Sequence, residues 1–482
     1  MSDRSRPTRR WPIRSEWLHR PRPERSARGA AVARGLCAPI ALAALLGAPL
    51  DAGAAEPVIP QYGDDVHEGV SSCDGSTCHG SAGARNDRNV LQNEYSTWVS
   101  EDRHATRAYK ILLEPDSIRI SRNLGRKQKP HEDSLCLDCH ADNPPPEKRR
   151  TKNNAFRVDD GVGCEACHGG AERYLRPHDG GLPHAKNIEL GMYPTDDPVA
   201  RTRLCLSCHF GDRRKFVDHR LMGAGHPRQS FEVALFSILQ PYHWEPDDDY
   251  RERGKQAPND VQLWAIGQAV AVDQVLDAMV DPKRNEMGLF PELVLYDCHA
   301  CHHPIDELRR WRPRPSTGLG PGVPRLNDAN FLMLMQAAAL ADPATARKLR
   351  TNLRALHQAA SEGRGDPEAL ARRIREDIAA LLPKLRDWKV DAAALRSLTK
   401  NLLADAVKGE YSDYAGSEQT AMALQSILYS SLVAGIIDDP TYDAIERGEL
   451  SGVLAAVQDP DTFDPDRAKR AFQKLQKRLV KR

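Results

Sequence analysis

GVGCEACHGG, residues 161–170, sets Cys164 and Cys167 three positions apart and places His168 directly after the second cysteine. The same Cys-x-x-Cys-His pattern recurs as Cys136-Leu-Asp-Cys139-His140, Cys205-Leu-Ser-Cys208-His209 and Cys298-His-Ala-Cys301-His302. A fifth stretch, Cys73-Asp-Gly-Ser-Thr-Cys78-His79, keeps the histidine but widens the cysteine spacing. Together these stretches take ten of the chain's 11 cysteines, leaving only Cys37. With 17 histidines in 482 residues, a histidine after each of five cysteine pairs would arise by chance with a probability on the order of 10⁻⁷, so the pattern has a chemical cause. Zinc ribbons use cysteine pairs, but zinc does not call for a histidine directly after every pair. Disulfides suit exported chains, yet a two-residue gap is too tight for most structural bridges.

Covalent attachment of haem c needs this arrangement. Two thiols bond to the haem vinyl groups, and the following imidazole turns onto the iron as its proximal ligand. The expected cofactor-binding residues are Cys73, Cys78, Cys136, Cys139, Cys164, Cys167, Cys205, Cys208, Cys298 and Cys301. His79, His140, His168, His209 and His302 are the expected proximal ligands, giving five covalent haems. At the widened site, Gly75 lets the intervening loop bulge while both thiols still reach their vinyls.

Residues 37–50, CAPIALAALLGAPL, form an apolar run of 14 behind an Arg-rich leader, and small residues follow. This reads as a secretory signal over residues 1–55, cleaved after Ala55 and too short to span a membrane. The expected location is the periplasm. The remaining chain carries 58 basic and 63 acidic side chains, a net charge of −5. It offers no basic field for nucleic acid. No other apolar run approaches membrane length, so no integral membrane segment is expected in the mature chain.

Histidine divides the mature sequence. Residues 56–303 hold 15 histidines and all ten paired cysteines, whereas residues 304–482 hold only His357 and no cysteine. The expected organisation is a pentahaem domain over 56–311, a Pro/Gly linker over 312–324 (RPRPSTGLGPGVP) and a haem-free helical bundle over 325–482. The haem-bearing part has little sustained periodicity, because porphyrins would supply much of its apolar core. Its clearest helix spans about 259–281. In the second part, Asp342-Pro343 and Asp366-Pro367 open helices as cap and first residue, and Leu370, Ile374, Ile378 and Leu381 recur at helical spacing. The fold class is therefore mainly α with extensive irregular loops, a multihaem cytochrome domain followed by a helical bundle.

Ten further histidines lie among the haem sites: His67, His104, His131, His178, His184, His219, His226, His243, His299 and His303. This surplus points to bis-histidine ligation, which lowers reduction potentials relative to His/Met ligation. His299 lies between its own haem's cysteines and His303 directly follows a proximal ligand, so both read as structural. His243 sits between Tyr242 and Trp244, neighbours typical of a haem wall. The distal candidates chosen are His104, His226, His184, His219 and His67.

The string GVGCEACHGGAERYLRPH (161–178), the Trp98…Ser100…His104-Ala105 element, FVDHRLMGAGHPRQSFE (216–232) and PELVLYDCHACHHP (291–304) resemble the multihaem cytochrome c family of the cytochrome c-554 type. The resemblance covers residues 66–335. It implies periplasmic electron transfer through closely packed, mostly bis-His haems, with His104 as one distal ligand and His219 or His226, the latter preferred, as another. The leading expectation is an electron carrier that works with redox partner proteins, with the bundle serving docking or assembly. The alternative is an oxidoreductase acting on a small nitrogen or sulfur compound, such as hydroxylamine, nitrite or a sulfur oxyanion, at one five-coordinate haem.

Overall fold

The computed structural model describes residues 56–480 apart from 86–90, 245–249, 251, 286–290, 303–313, 321–322 and 364. The expected signal at 1–55, His303 and residues 312–313 and 321–322 of the Pro/Gly segment lie outside the described residues. The chain is mainly helical, and the described residues contain no β-strand, only isolated bridges such as His67–Arg149.

Up to residue 240 the helices are short, as loops rich in Gly and Pro dictate. They include Glu94–Glu101, Arg103–Thr106, Ser134–His140, Cys164–His168, Pro198–His209 and His219–Gly223. Three of these end on a motif histidine, and in each the cysteines occupy the last turns. Side-chain caps start several of them: Asp133 accepts from the Leu135 amide, Asp197 from the Val199 and Ala200 amides, and Asp218 from the Leu221 amide. Each cap satisfies an otherwise orphaned donor at a helix start.

From residue 260 the helices lengthen. Asp260–Val280 starts on Asn259, whose side chain accepts from the Gln262 amide. Ala329–Ala341, Pro343–Glu362, Pro367–Arg386, Ala392–Lys408, Tyr414–Val433 and Pro465–Leu479 follow. The two Asp-Pro starts at 342 and 366 are present, each aspartate capping its helix. Asp260–Val280 is long and apolar enough to cross a membrane by length and composition. Here it is the central helix of the bundle, with Trp264, Ile266, Val272 and Leu276 fully buried. One hydrophobic core runs from Val199 and Leu206 of the fourth attachment helix, through this helix, to Phe472 and Leu475 near the C-terminus. The haem-bearing and bundle parts thus share a core across the segment 312–324.

One carboxylate near the end of the central helix ties several elements together. Asp277 accepts from Arg213 (2.7 Å) and Arg375 (2.8 Å), and also pairs with Arg284. Burial alone would push its carboxyl up, but the guanidiniums of Arg213, Arg284 and Arg375 outweigh this and hold it at about 2. A folded pKa below the unfolded 3.8 adds stability that is fully present above pH ~4 and lost as pH falls through about 2. Asp277→Asn is therefore expected to cost about 2 kcal/mol at neutral pH. In denaturant titrations from pH 7 down to 2, the difference from wild type should shrink towards zero at the acid end.

Candidate functional site

The four Cys-x-x-Cys-His stretches and the widened one, numbered here as sites 1 to 5 in chain order, come together in the structure. The Cys73 thiol of site 1 lies against Cys164 of site 3. The Cys139 thiol of site 2 lies against Cys208 of site 4. Cys167 of site 3 and Cys205 of site 4 are near neighbours. None of the ten cysteines forms a disulfide, including Cys73 and Cys78 of the widened site. There, a Cβ added to Gly75 would approach Cys78 Sγ to 3.2 Å, so the loop folds closely over its second thiol.

Histidines face histidines. His178 stands opposite His79 with ring centroids 6.2 Å apart, and His219 opposite His302 at 6.2 Å. His104 stands opposite His209 at 6.4 Å, and His226 opposite His140 at 6.5 Å. Two imidazoles bound on opposite sides of one metal ion, each about 2 Å from it and about 1 Å from nitrogen to ring centre, would have centroids roughly 6 Å apart. Both ring planes would contain the nitrogen–metal–nitrogen axis, so the angle between them is free. The observed angles run from 5° for His79/His178 to 88° for His104/His209. Site 3 has His243 close enough for its charge to bear on His168. Burial, then His243, holds the His168 imidazole down at about 4, in the neutral form that donates a lone pair.

The ring nitrogens are oriented to match. Nδ1 of His79 lies 3.0 Å from Glu94, that of His104 3.0 Å from Asp102, and that of His140 2.9 Å from the Ala108 carbonyl. Nδ1 of His178 meets the Tyr174 carbonyl at 3.0 Å, that of His226 the Pro227 carbonyl at 2.8 Å, and that of His243 the Pro241 carbonyl at 3.0 Å. These acceptors assign the proton to Nδ1 and the lone pair to Nε2, as partners of metal-bound histidines do. Backbone packing supports the placement of His104: Gly161, at φ +85°, has no room for a Cβ, which would come within 2.5 Å of the His104 carbonyl.

Of the distal candidates named from sequence, the structure brings His104, His226 and His219 opposite motif histidines. His184 and His67 are engaged elsewhere. His184 turns Nε2 to Asp196 at 2.9 Å, and His67 is buried with Nδ1 2.8 Å from Asp142. The structure also brings His178 opposite His79, and His243 near His168. A signal for each was present: His178 ends the 161–178 string, and His243 is flanked by Tyr242 and Trp244. His131 packs near Tyr109, and His299 near Tyr414 and Phe463.

Between these groups runs one cavity of about 2950 Å³. Its wall includes Cys136, Cys139, Cys167, Cys205, Cys208, Cys298 and Cys301, together with the facing pairs His104/His209, His140/His226 and His219/His302. A pocket for one cofactor-sized molecule measures roughly 300–1,000 Å³, so this space suits several flat groups. The residues present thus fit haem, with thiols at the edge and imidazoles on both faces.

Such an arrangement defines a c-type cytochrome. Residues 72–169, which span sites 1 to 3, match the family model described as cytochrome c554 and c-prime, so this stretch of the chain is a cytochrome domain of the c554 type. Proteins of this kind bind haem c covalently and exchange electrons with partner proteins, and they are typically exported. Comparison with curated proteins and with solved structures gave no match.

Proposed function

We propose that the chain is a periplasmic electron carrier with five covalently bound haems, each held between two histidines. The observation that carries this reading is the facing pairs, which occur at every site where a ring separation can be read. When bound, haem c supplies a one-electron carrier whose potential responds to axial ligation and burial. The proposed ligand pairs are His79/His178, His140/His226, His168/His243, His209/His104 and His302/His219.

The neighbouring thiols order the sites 1–3–4–2. Site 5 joins at site 2, because His219 and His226 belong to one short segment and face sites 5 and 2 respectively. Among the described residues, Cys78 of site 1 and Cys301 of site 5 are the exposed cysteines. The ends of this line are thus the places where redox partners would give and take electrons. With a second imidazole opposite four of the five motif histidines, and His243 near the fifth, few iron faces are left for a small substrate, which favours the carrier reading over an oxidoreductase. Mass spectrometry of the purified chain tests the count. Five haem additions are expected on a chain beginning at Glu56; four or fewer would refute the pentahaem reading.

Lys215 is placed to tune this line. Its buried ammonium lies 3.2 Å from Cys208 Sγ of site 4, and it donates to the Asp138 carbonyl of site 2 (2.6 Å) and to Gln61 (2.7 Å). A buried positive charge beside two sites disfavours the ferric state of both. Lys215→Met is expected to lower the potentials of that pair by on the order of 50 mV. A spectroelectrochemical titration reads the shift, and the remaining potentials should stay in place.

A further inference from the structure

His67, set aside as an iron ligand, sits in a small buried group of its own. Ligand atoms of His67, Asp142 and Glu165 all lie within 4.8 Å of one another. These residues are only 1 %, 6 % and 2 % exposed. We propose that the three side chains hold a divalent cation of the Zn²⁺ class, at a site separate from the haems.

Each donor is set up for a cation. The His67 ring offers Nδ1 to the group, 2.8 Å from Asp142 Oδ2, and also faces the Pro60 carbonyl, the backing common to metal-bound histidines. Glu165 Oε1 accepts from the Glu68 and Ala171 amides at 2.7 Å each, and Oε2 accepts from the Gly69 amide at 2.7 Å. Three N–H donors and no acceptor hold both oxygens of this carboxyl in place. Asp142 Oδ1 is buried without any hydrogen-bond partner, a costly state unless something binds there. Arg149, whose charge reaches Asp142, directs its own bonds to the Asn143 side chain and the Pro144 carbonyl. One nitrogen and two carboxylate donors suit Zn²⁺, whereas Ca²⁺ takes six to eight oxygens.

The place of the group gives the ion its role. His67 precedes site 1, Asp142 follows His140 of site 2, and Glu165 lies between the two cysteines of site 3. A bound ion would clamp three attachment segments together.

The test uses the full haem-loaded protein, incubated with Zn²⁺ and then desalted over a chelating resin. Metal is measured per chain, with protein determined by amino-acid analysis, so that an error in the haem count cannot imitate or hide the result. About one zinc per chain should survive, and absorption at the zinc edge should show one imidazole with oxygen donors and no sulfur. Asp142→Asn and His67→Gln should each cut retained zinc by about tenfold or more while the haem count is unchanged. Wild-type protein that retains no zinc, a zinc edge with sulfur donors, or variants that retain zinc like wild type would each overturn the proposal. Should either variant fail to fold, the wild-type stoichiometry and edge spectrum still decide it.

Discussion

Replacing His178 with alanine is expected to convert one haem in five of the ferric protein from low to high spin while all covalent attachments remain. Two imidazoles impose a strong ligand field on iron, and removing one leaves a five-coordinate centre. The substitution acts on ligation alone, because the His79 ring keeps its own support from Glu94 at 3.0 Å. Electron paramagnetic resonance reads the fraction directly, and added imidazole should restore the low-spin signal. His184→Ala is the matched control. Its Nε2 is bonded to Asp196, so the spin state should not change. A high-spin signal from the control, or none from His178→Ala, would overturn the pairing of His178 with His79.

The second large effect concerns site 5 and the bundle. Arg314 reaches Asp328 at 2.8 and 2.9 Å and Asp413 at 3.0 Å. Arg325 reaches Asp297 at 2.8 Å and Asp413 at 3.1 Å. His357, the lone histidine of the C-terminal part, bonds Asp328 at 2.9 Å. All six side chains are buried. Asp297 directly precedes Cys298, caps its turn and donates its amide to the Arg325 carbonyl at 2.9 Å. The network therefore anchors the fifth attachment turn to the bundle. Asp413→Ala leaves two buried guanidiniums short of a partner, at an expected cost of about 3–5 kcal/mol. Thermal unfolding should show this as a marked fall in midpoint, with the largest spectral change at the His302/His219 site. Breaking the exposed pair Arg372–Glu368, 3.4 Å apart, should change stability by less than about 0.5 kcal/mol. Equal effects from the two substitutions would refute the anchoring role.

How much of this was legible in the sequence follows from which constraints are local. The proposed attachment sites are motifs of five to seven consecutive residues, so their spacing can be read from the sequence alone. Helix starts at Asn259, Asp342 and Asp366 were equally plain, because a cap and its first turn are neighbours in sequence. Distal ligation is not local. His178 meets His79 from 99 residues away, and nothing near either residue states the pairing. His184 was a reasonable candidate until the fold brought Asp196 to its Nε2, and His67 until Asp142 came to its Nδ1. The Pro and Gly content of 312–324 read as a linker. The shared core was not visible because Val199 and Leu206 pack with a bundle whose helices lie far along the chain.

The most direct measurement of the central claim is the spin state of every iron in the fully oxidised wild-type chain, alone and with hydroxylamine or nitrite added. Five low-spin haems per chain, unchanged by either compound, are the expected result. A high-spin fraction that shifts on adding hydroxylamine or nitrite would contradict it, revealing an open iron and a substrate-converting enzyme.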